Sequence, residues 1–411
     1  MLSPKLELMC SIALASGKNL LLVGAPGVGK TRLALELAGA AEHLPGFELV
    51  TCREGLTYDR LVAYYTVPGG APRLELGSLT RSAALAWLSV ALGLRPGWLV
   101  LDEVNRVNID VVLGEAFTAM DVEHRMVSPI VGGDLLDEVE KFLEGSVGLF
   151  AKRGLSEEKV REEARRLADR FRERGGMPLP YAYRFLATMN VYDRAQLYRL
   201  GYAFLRRFAQ VYVPPPYERY ELRAEGNPPA GEDGEPVYRL LTDRGGSVVK
   251  QAVKELTMHK RGGERKESLV ERDNPVLYVS LPENAEELAG YTGSGLCERG
   301  FRLVAKVYSE VEQMDVELGL SPLVDCVKLC IVGSLLLGQG GLLSDTEFAD
   351  FMLSSLVLPQ LGVLAPRLRA ERLLGEEAIG RRVRELLDLV GRNLGKGSLS
   401  YRVLRGLGQP L

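Results

Sequence analysis

Over the first half of the chain the apolar positions fall into short unbroken runs separated by stretches of helical spacing. The clearest runs are Asn19-Leu20-Leu21-Leu22-Val23, Trp98-Leu99-Val100-Leu101, Phe185-Leu186-Ala187-Thr188 and Ala209-Gln210-Val211-Tyr212-Val213, with a shorter one at 48–51. Runs of this length predict strands, and continuous rather than alternating apolarity predicts a parallel sheet covered on both faces. An amphipathic helix is expected over 5–16 and another over about 30–41. Pro214-Pro215-Pro216 ends this unit. Residues from 217 to about 295 are richer in Pro, Gly and charge, with a helix expected at 246–258 and a strand at 276–280. From 297 onward the pattern is helical. The reading is therefore α/β, a parallel sheet sandwiched by helices, followed by a smaller all-helical domain. Its parts are a core at 1–213, an insertion at 214–296 and a helical domain at 297–411.

Composition narrows the chemistry by exclusion. A net charge of -3 gives no global signal for a nucleic-acid partner. No apolar run approaches the ~18–20 residues of a membrane span. The start, Met1-Leu2-Ser3-Pro4-Lys5, lacks the features of a signal peptide, so a cytoplasmic protein without membrane partners is expected. Five scattered cysteines argue against a disulfide framework. Cys326 and Cys330, four apart on one helix face, are expected to be buried free thiols. With His43, His124 and His259 as its three histidines, the chain has little material for a zinc centre or a catalytic triad.

The sharpest local signal is Gly24-Ala25-Pro26-Gly27-Val28-Gly29-Lys30-Thr31, between a predicted strand and a predicted helix. It fits G-x-x-x-x-G-K-[ST], in which glycines let backbone N–H groups wrap phosphates and the helix N-terminus adds partial positive charge. Lys30 is expected to reach the β- and γ-phosphates, and the Thr31 hydroxyl to ligate Mg²⁺. Such a site needs an acid at the end of a neighbouring strand. Asp102, at the end of Trp98–Leu101, is expected to hold Mg²⁺ through water, and Glu103 to polarise the attacking water. Asn190, ending Leu186-Ala187-Thr188-Met189-Asn190, is expected to position water on a strand between those two. Arg206 and Arg207, in Leu205-Arg206-Arg207-Phe208, are candidates for a transition-state cation supplied to a neighbouring subunit, with the choice between them open.

Four segments carry a family resemblance. Asp102-Glu103-Val104-Asn105-Arg106 resembles the D-E-[IV]-N-R form of the Walker B motif, and Met189-Asn190-Val191-Tyr192-Asp193-Arg194 resembles an M-N-x-x-D-R segment. Leu205-Arg206-Arg207-Phe208 is similar to a double arginine followed by Phe. Leu76–Ala83 resembles a G-x-L-x-x-A stretch, with Ser82 in place of the Ala. Together they resemble the AAA+ branch containing McrB-type GTPases, MoxR-type ATPases and dynein-type modules. The resemblance implies a P-loop AAA+ core with a helical lid, Mg²⁺ and ATP, with GTP as the alternative, and a homo-oligomeric ring, taken as a hexamer. It also implies a hairpin inserted at about 64–76, with Pro68-Gly69-Gly70 at its tip. A charged helical insert at about 126–183 would be flanked by strands near 127–131 and 179–183. Leu323 stands where a sensor arginine would be, and the sequence offers no counterpart of the DNA-reading domain of McrB restriction proteins.

Three functions fit this reading: a remodelling ATPase acting on a protein substrate or adaptor, a restriction motor reaching nucleic acid only through a partner nuclease, and a nucleotide-gated scaffold with little turnover. The basic stretch 259–266, interleaved with Glu, is expected to be a solvated loop.

Overall fold

The fold is taken from a computed structural model that describes residues 4–190, 200–214, 234–257, 281–282, 284–314, 316, 318–337, 341–374 and 378–407. The strand expected at 276–280 and the basic stretch at 259–266 lie outside them. Two compact units emerge, one from Asn19–Arg207 and one from residues within Met1–Lys18, Phe208–Leu256 and Val279–Leu411.

In chain order the strands are β1 (Asn19–Gly24), β2 (Glu48–Thr51), β3 (Ala63–Thr66), β4 (Arg73–Leu76), β5 (Leu99–Asp102), β6 (Pro129–Val131), β7 (Met177–Pro178), β8 (Phe185–Asn190) and β9 (Phe208–Tyr212). Within the first of these units the main sheet runs β2-β5-β8-β1. β2 pairs with β5, β5 with β8 and β8 with β1, all parallel. The runs in β1, β5 and β8 are buried as their continuity predicts, with Leu20, Leu21, Leu22, Leu99, Val100, Leu101, Phe185, Leu186 and Ala187 fully buried, whereas β2 alternates half-buried and exposed residues.

Polar anchors fix the strand starts. Buried Asn19 accepts from Phe185 N (3.1 Å) and donates to the Arg207 carbonyl (3.1 Å), so one side chain sets β1 against β8. The indole of Trp98 donates to the Ala182 carbonyl at 3.0 Å and that of Trp87 to Pro178 at 2.6 Å. Ser82 sits in the buried face of the Ser78–Ala91 helix, where its hydroxyl donates to Gly46 O and accepts from the Tyr183 hydroxyl. That pairing accounts for a serine in the buried face of this helix.

Two antiparallel ladders leave the sheet. β3 and β4 pair from Ala63↔Leu76 to Thr66↔Arg73, with a turn at Pro68–Gly70, between the helices Tyr58–Val62 and Ser78–Ala91. β6 pairs with β7 at Pro129↔Pro178 and Val131↔Met177, earlier in the chain than the strand expected at 179–183. That stretch is instead a buried turn. Leu179 N donates to Arg125 O, Tyr183 N to Pro180 O, and the fully buried Arg125 guanidinium donates to Tyr181 O at 3.1 Å. Between β6 and β7 run the helices Leu135–Gly145, Val147–Ala151 and Glu157–Glu173. The last buries Val160, Ala164, Leu167, Ala168 and Phe171 at helical spacing and keeps its charged face outward. Phe171 meets Trp87 edge-on, with ring centroids 6.0 Å apart, which seats the charged helix against the core.

The helical unit corrects the cysteine reading. Cys297, on the Gly295–Glu312 helix, and Cys330, on the Ser321–Leu337 helix, form a disulfide with Cα atoms 5.7 Å apart. Packing of the two helices creates this pair, which a sequence separation of 33 conceals. Cys326, one turn before Cys330, stays a buried free thiol, as do Cys10 and Cys52. Leu323, where a sensor arginine would stand, is buried in this helix.

A buried charge cluster also lies in this unit. Asp325 receives Lys18 Nζ at 2.7 Å and Lys328 Nζ at 2.8 Å, and Lys328 also reaches Glu255 at 2.6 Å. Burial alone would raise the Asp325 pKa, but Lys18 and Lys328 outweigh it and hold the carboxyl below its ordinary value of 3.8. Among the described residues no helix is long and apolar enough to cross a membrane.

Two predictions follow from this unit. Loop-closure entropy for the 33-residue separation makes the disulfide worth about 3–4 kcal/mol, so Cys297→Ser should lower the unfolding midpoint in denaturant titration. Asp325→Asn leaves two buried ammonium groups facing one carboxylate and should cost about 3–5 kcal/mol. Because the folded pKa of Asp325 is depressed, its contribution is complete above pH ~3.8 and is lost as the pH falls further; the mutant's penalty, measured against pH, should shrink only in that acid range.

Candidate functional site

The carboxyl ends of β1, β5 and β8 lie side by side, where open α/β sheets place their ligands. Leaving β1 at Gly24, the chain turns through 25–29 into the Lys30–Leu37 helix, which stops four residues short of the expected end. Gly27 (φ +77°) and Gly29 (φ +93°) take the left-handed backbone the turn requires, and nothing lies within 4 Å of where their side chains would begin. This open, glycine-lined curve meets the requirement for close phosphate approach. Pro26 and Gly27 are exposed, whereas Ala25, Val28 and Gly29 are half-buried. Lys30 is buried and donates from Nζ to the Ala25 carbonyl at 2.7 Å, closing the loop on itself. Burial pulls the Lys30 pKa below its ordinary value, against the opposing pull of Asp102 and Glu103.

Asp102 is the hub. Its Oδ1 accepts from the Thr31 hydroxyl at 2.8 Å and from the Thr188 hydroxyl at 2.6 Å. The Thr188 oxygen in turn accepts from the backbone N–H of Glu103 at 3.0 Å. Hydroxyl and carboxylate oxygens side by side are the hard donors Mg²⁺ prefers, with phosphate and water completing its shell. Among the described residues no group of three His, Cys, Asp or Glu side chains is placed to hold a metal by itself, so the donor set suits a cation that arrives with phosphate. Buried Cys52, whose N–H donates to Asp102 O at 2.8 Å, has its thiol pushed up to about 12, chiefly by burial, and stays protonated.

Glu103 adopts φ +59°, one of two such non-glycine residues among those described, a conformation that costs about 1–3 kcal/mol. Its Oε1 accepts from Asn190 Nδ2 at 3.1 Å, and its Oε2 forms an ion pair with Arg106 Nε at 2.9 Å. β8 carries Asn190 level with Gly24 of β1. The structure thus brings Gly24–Thr31, Asp102, Glu103 and Asn190 to one edge of the sheet.

Three contributors escape a reading of the sequence alone. Thr188, two residues before Asn190 on the same strand face, is signalled only by polarity in an apolar run. Arg106 and Asn105 appear in the motif, but their contacts do not; Asn105 Nδ2 donates to Asn190 O at 3.4 Å. Of the M-N-x-x-D-R segment, Asp193 and Arg194 lie outside the described residues.

Arg206 and Arg207 separate clearly. Arg207 is buried, with Nη2 2.7 Å from Asp121, Nη1 donating to Ala203 O at 2.8 Å and its guanidinium 4.2 Å above the Phe117 ring. Burial drags its pKa below the ordinary value. Arg206 is 43% exposed and 3.7 Å from the same Asp121.

Residues 19–208 match the family model of the AAA domain, dynein-related subfamily. That stretch is similar to an AAA domain. No curated protein matches the chain. Among solved structures, it is similar to a protein titled as a candidate ATPase from Cytophaga hutchinsonii ATCC 33406, at 13% identity and TM-score 0.37, covering 84% of this chain and 78% of that one.

The two arginines generate a prediction. Arg207→Ala empties a buried cation site and should destabilise the protein by about 2–4 kcal/mol. Arg206→Ala, on the surface, should stay within about 0.5 kcal/mol of wild type. Denaturant unfolding of the two single variants tests the contrast.

Proposed function

We propose that this AAA domain binds and hydrolyses Mg-ATP within a homo-oligomeric ring, taken as a hexamer, and uses the cycle to remodel a protein or nucleoprotein partner. The observation that carries the reading is the Asp102 hub, whose two threonine hydroxyls sit at the end of a glycine-lined phosphate loop. Backbone N–H groups of 24–31 and Lys30 would bind the phosphates. Thr31 and Asp102 would hold Mg²⁺, which would neutralise charge on the phosphates. Glu103 would accept a proton from the attacking water, and Asn190 would orient that water. Of the two arginines, exposed Arg206 is the better candidate for a cation offered to a neighbour's nucleotide, with Arg207 holding its strand end in place.

The phosphate loop does not read the base, so GTP remains the alternative nucleotide, and the D-E-V-N-R segment supports it through its likeness to McrB-type GTPases. In that second reading the chain is a motor that reaches nucleic acid through a separate nuclease. A scaffold with little turnover is the third reading, which the intact set of Lys30, Asp102, Glu103 and Asn190 opposes.

Phosphate release with Mg-ATP and with Mg-GTP tests the proposal. Turnover should rise with protein concentration, as expected if the site is completed by a neighbour. Glu103→Gln should retain nucleotide and lose at least ~100-fold in rate, in line with loss of a general base. Arg206→Ala should lose about 10³-fold or more while still binding nucleotide. Faster release with GTP would favour the restriction-motor reading. Tight binding without turnover in wild type would leave the scaffold in its place.

A further inference from the structure

A cleft of about 750 Å³ opens on the edge of the sheet away from the phosphate loop. One wall is the turn between the Lys30–Leu37 helix and β2, and the other is the end of the Val147–Ala151 helix. Pro45, Gly46 and Phe47 lead directly into Glu48, the first residue of β2, so the cleft lies at the amino ends of the strands. Gly24, Asp102 and Asn190 close the carboxyl ends.

The turn is held by its own hydrogen bonds. Leu44 N donates to Gly39 O and Phe47 N to Leu44 O, while Pro45 O accepts from Gly97 N and Gly46 O from the Ser82 hydroxyl. Leu44, Pro45 and Leu85 form a buried apolar floor, and Leu149 stands 46% exposed at the rim. Across the opening the Arg153 guanidinium donates to Glu42 O and ties the two walls together. The charges at the rim do not balance. Glu42 has a cation of its own, Arg95 at 3.4 Å. Arg153 meets a carbonyl rather than a carboxylate, and among the described residues neither it nor Lys152 has an acidic partner.

We propose that this cleft docks an extended segment of a partner protein in which a carboxylate side chain neighbours apolar ones. The apolar side chains cover Leu149 and the floor, and the carboxylate takes up the charge of Lys152 and Arg153. A small-molecule site buries most of its ligand. Here Glu42, His43, Leu149, Lys152 and Arg153 are all exposed, which suits a passing chain instead. The hydrogen-bonded wall lowers the ordering that binding demands. The assignment is independent of the nucleotide reading, because the two sites lie at opposite ends of the strands.

The test is fluorescence anisotropy of the full chain with a fluorescein-labelled hexapeptide of alternating leucine and glutamate, beside matched leucine–glutamine and leucine–lysine peptides. The glutamate peptide should bind about tenfold or more tightly than either control. Lys152→Glu should weaken it about tenfold with an unchanged melting temperature, and Leu149→Asp should weaken it too. Lys159→Glu, exposed on the next helix and outside the cleft, should leave it unchanged. Saturating Mg-AMP-PNP should not displace it. No binding of the glutamate peptide, equal binding of a control peptide, or equal loss in the two lysine variants overturns the proposal. Displacement by Mg-AMP-PNP would place the peptide in the phosphate loop, and displacement by equimolar octanoate would assign the cleft to a small carboxylate; either result overturns it as well.

Discussion

The site depends on the parallel register of β1, β8 and β5. Backbone ladders place Gly24 opposite Asn190 and Leu101 opposite Ala187. The next residue of β5, Asp102, then lies within reach of Thr188 on one side and Thr31 on the other. A shift of one residue in any strand would turn these side chains to the opposite face of the sheet and disperse the cluster. Buried polar groups at the strand starts protect that register. Asn19 bonds to β8 at Phe185, and the two tryptophan indoles bond to the chain just before it. Each such bond is worth about 1 kcal/mol when made, and leaving its buried partner unsatisfied costs about 1–3 kcal/mol. That asymmetry makes these anchors more decisive than their small number suggests.

The parts legible in the sequence are those whose signal is local. The glycine–lysine–threonine loop, the apolar strand ending in Asp102-Glu103 and the strand ending in Asn190 each announce themselves within a few residues, because burial and turn chemistry act at that range. What stayed hidden needs contacts between distant segments. Thr188 reads as one more residue of a buried strand until Asp102 is seen beside it. The Cys297–Cys330 bridge joins two helices whose contact is tertiary, while the visible spacing of Cys326 and Cys330 suggested only a shared helix face. The apolar run at 179–183 looks like a strand because buried turns and buried strands use the same residues. Arg125, by bonding to Tyr181 O and Met120 O, makes a turn there instead.

The double arginine shows how burial divides neighbours that the sequence presents as equivalent. At Arg207 the aliphatic stem and guanidinium are enclosed by Phe117, Asp121 and Ala203. Freeing it would uncover the Phe117 ring, take the nearer cation from Asp121 and leave the Ala203 carbonyl without this donor. Arg206 meets Asp121 at longer range and from the surface, so it can exchange partners at little cost.

The strained backbone of Glu103 fits the same logic. A left-handed glutamate costs about 1–3 kcal/mol and persists only where its surroundings over-determine it. Here its N–H bonds to Thr188, its O accepts from Arg106 N, and its carboxylate is held from two sides. The first two bonds are backbone contacts that a ligand does not contest; the carboxylate contacts are side-chain ones that charge and water do. Strain therefore fixes where the carboxylate is, while exchangeable partners set what it touches. The same Thr188 hydroxyl donates to Asp102, so one oxygen sets the distance between the proposed cation ligand and the proposed base.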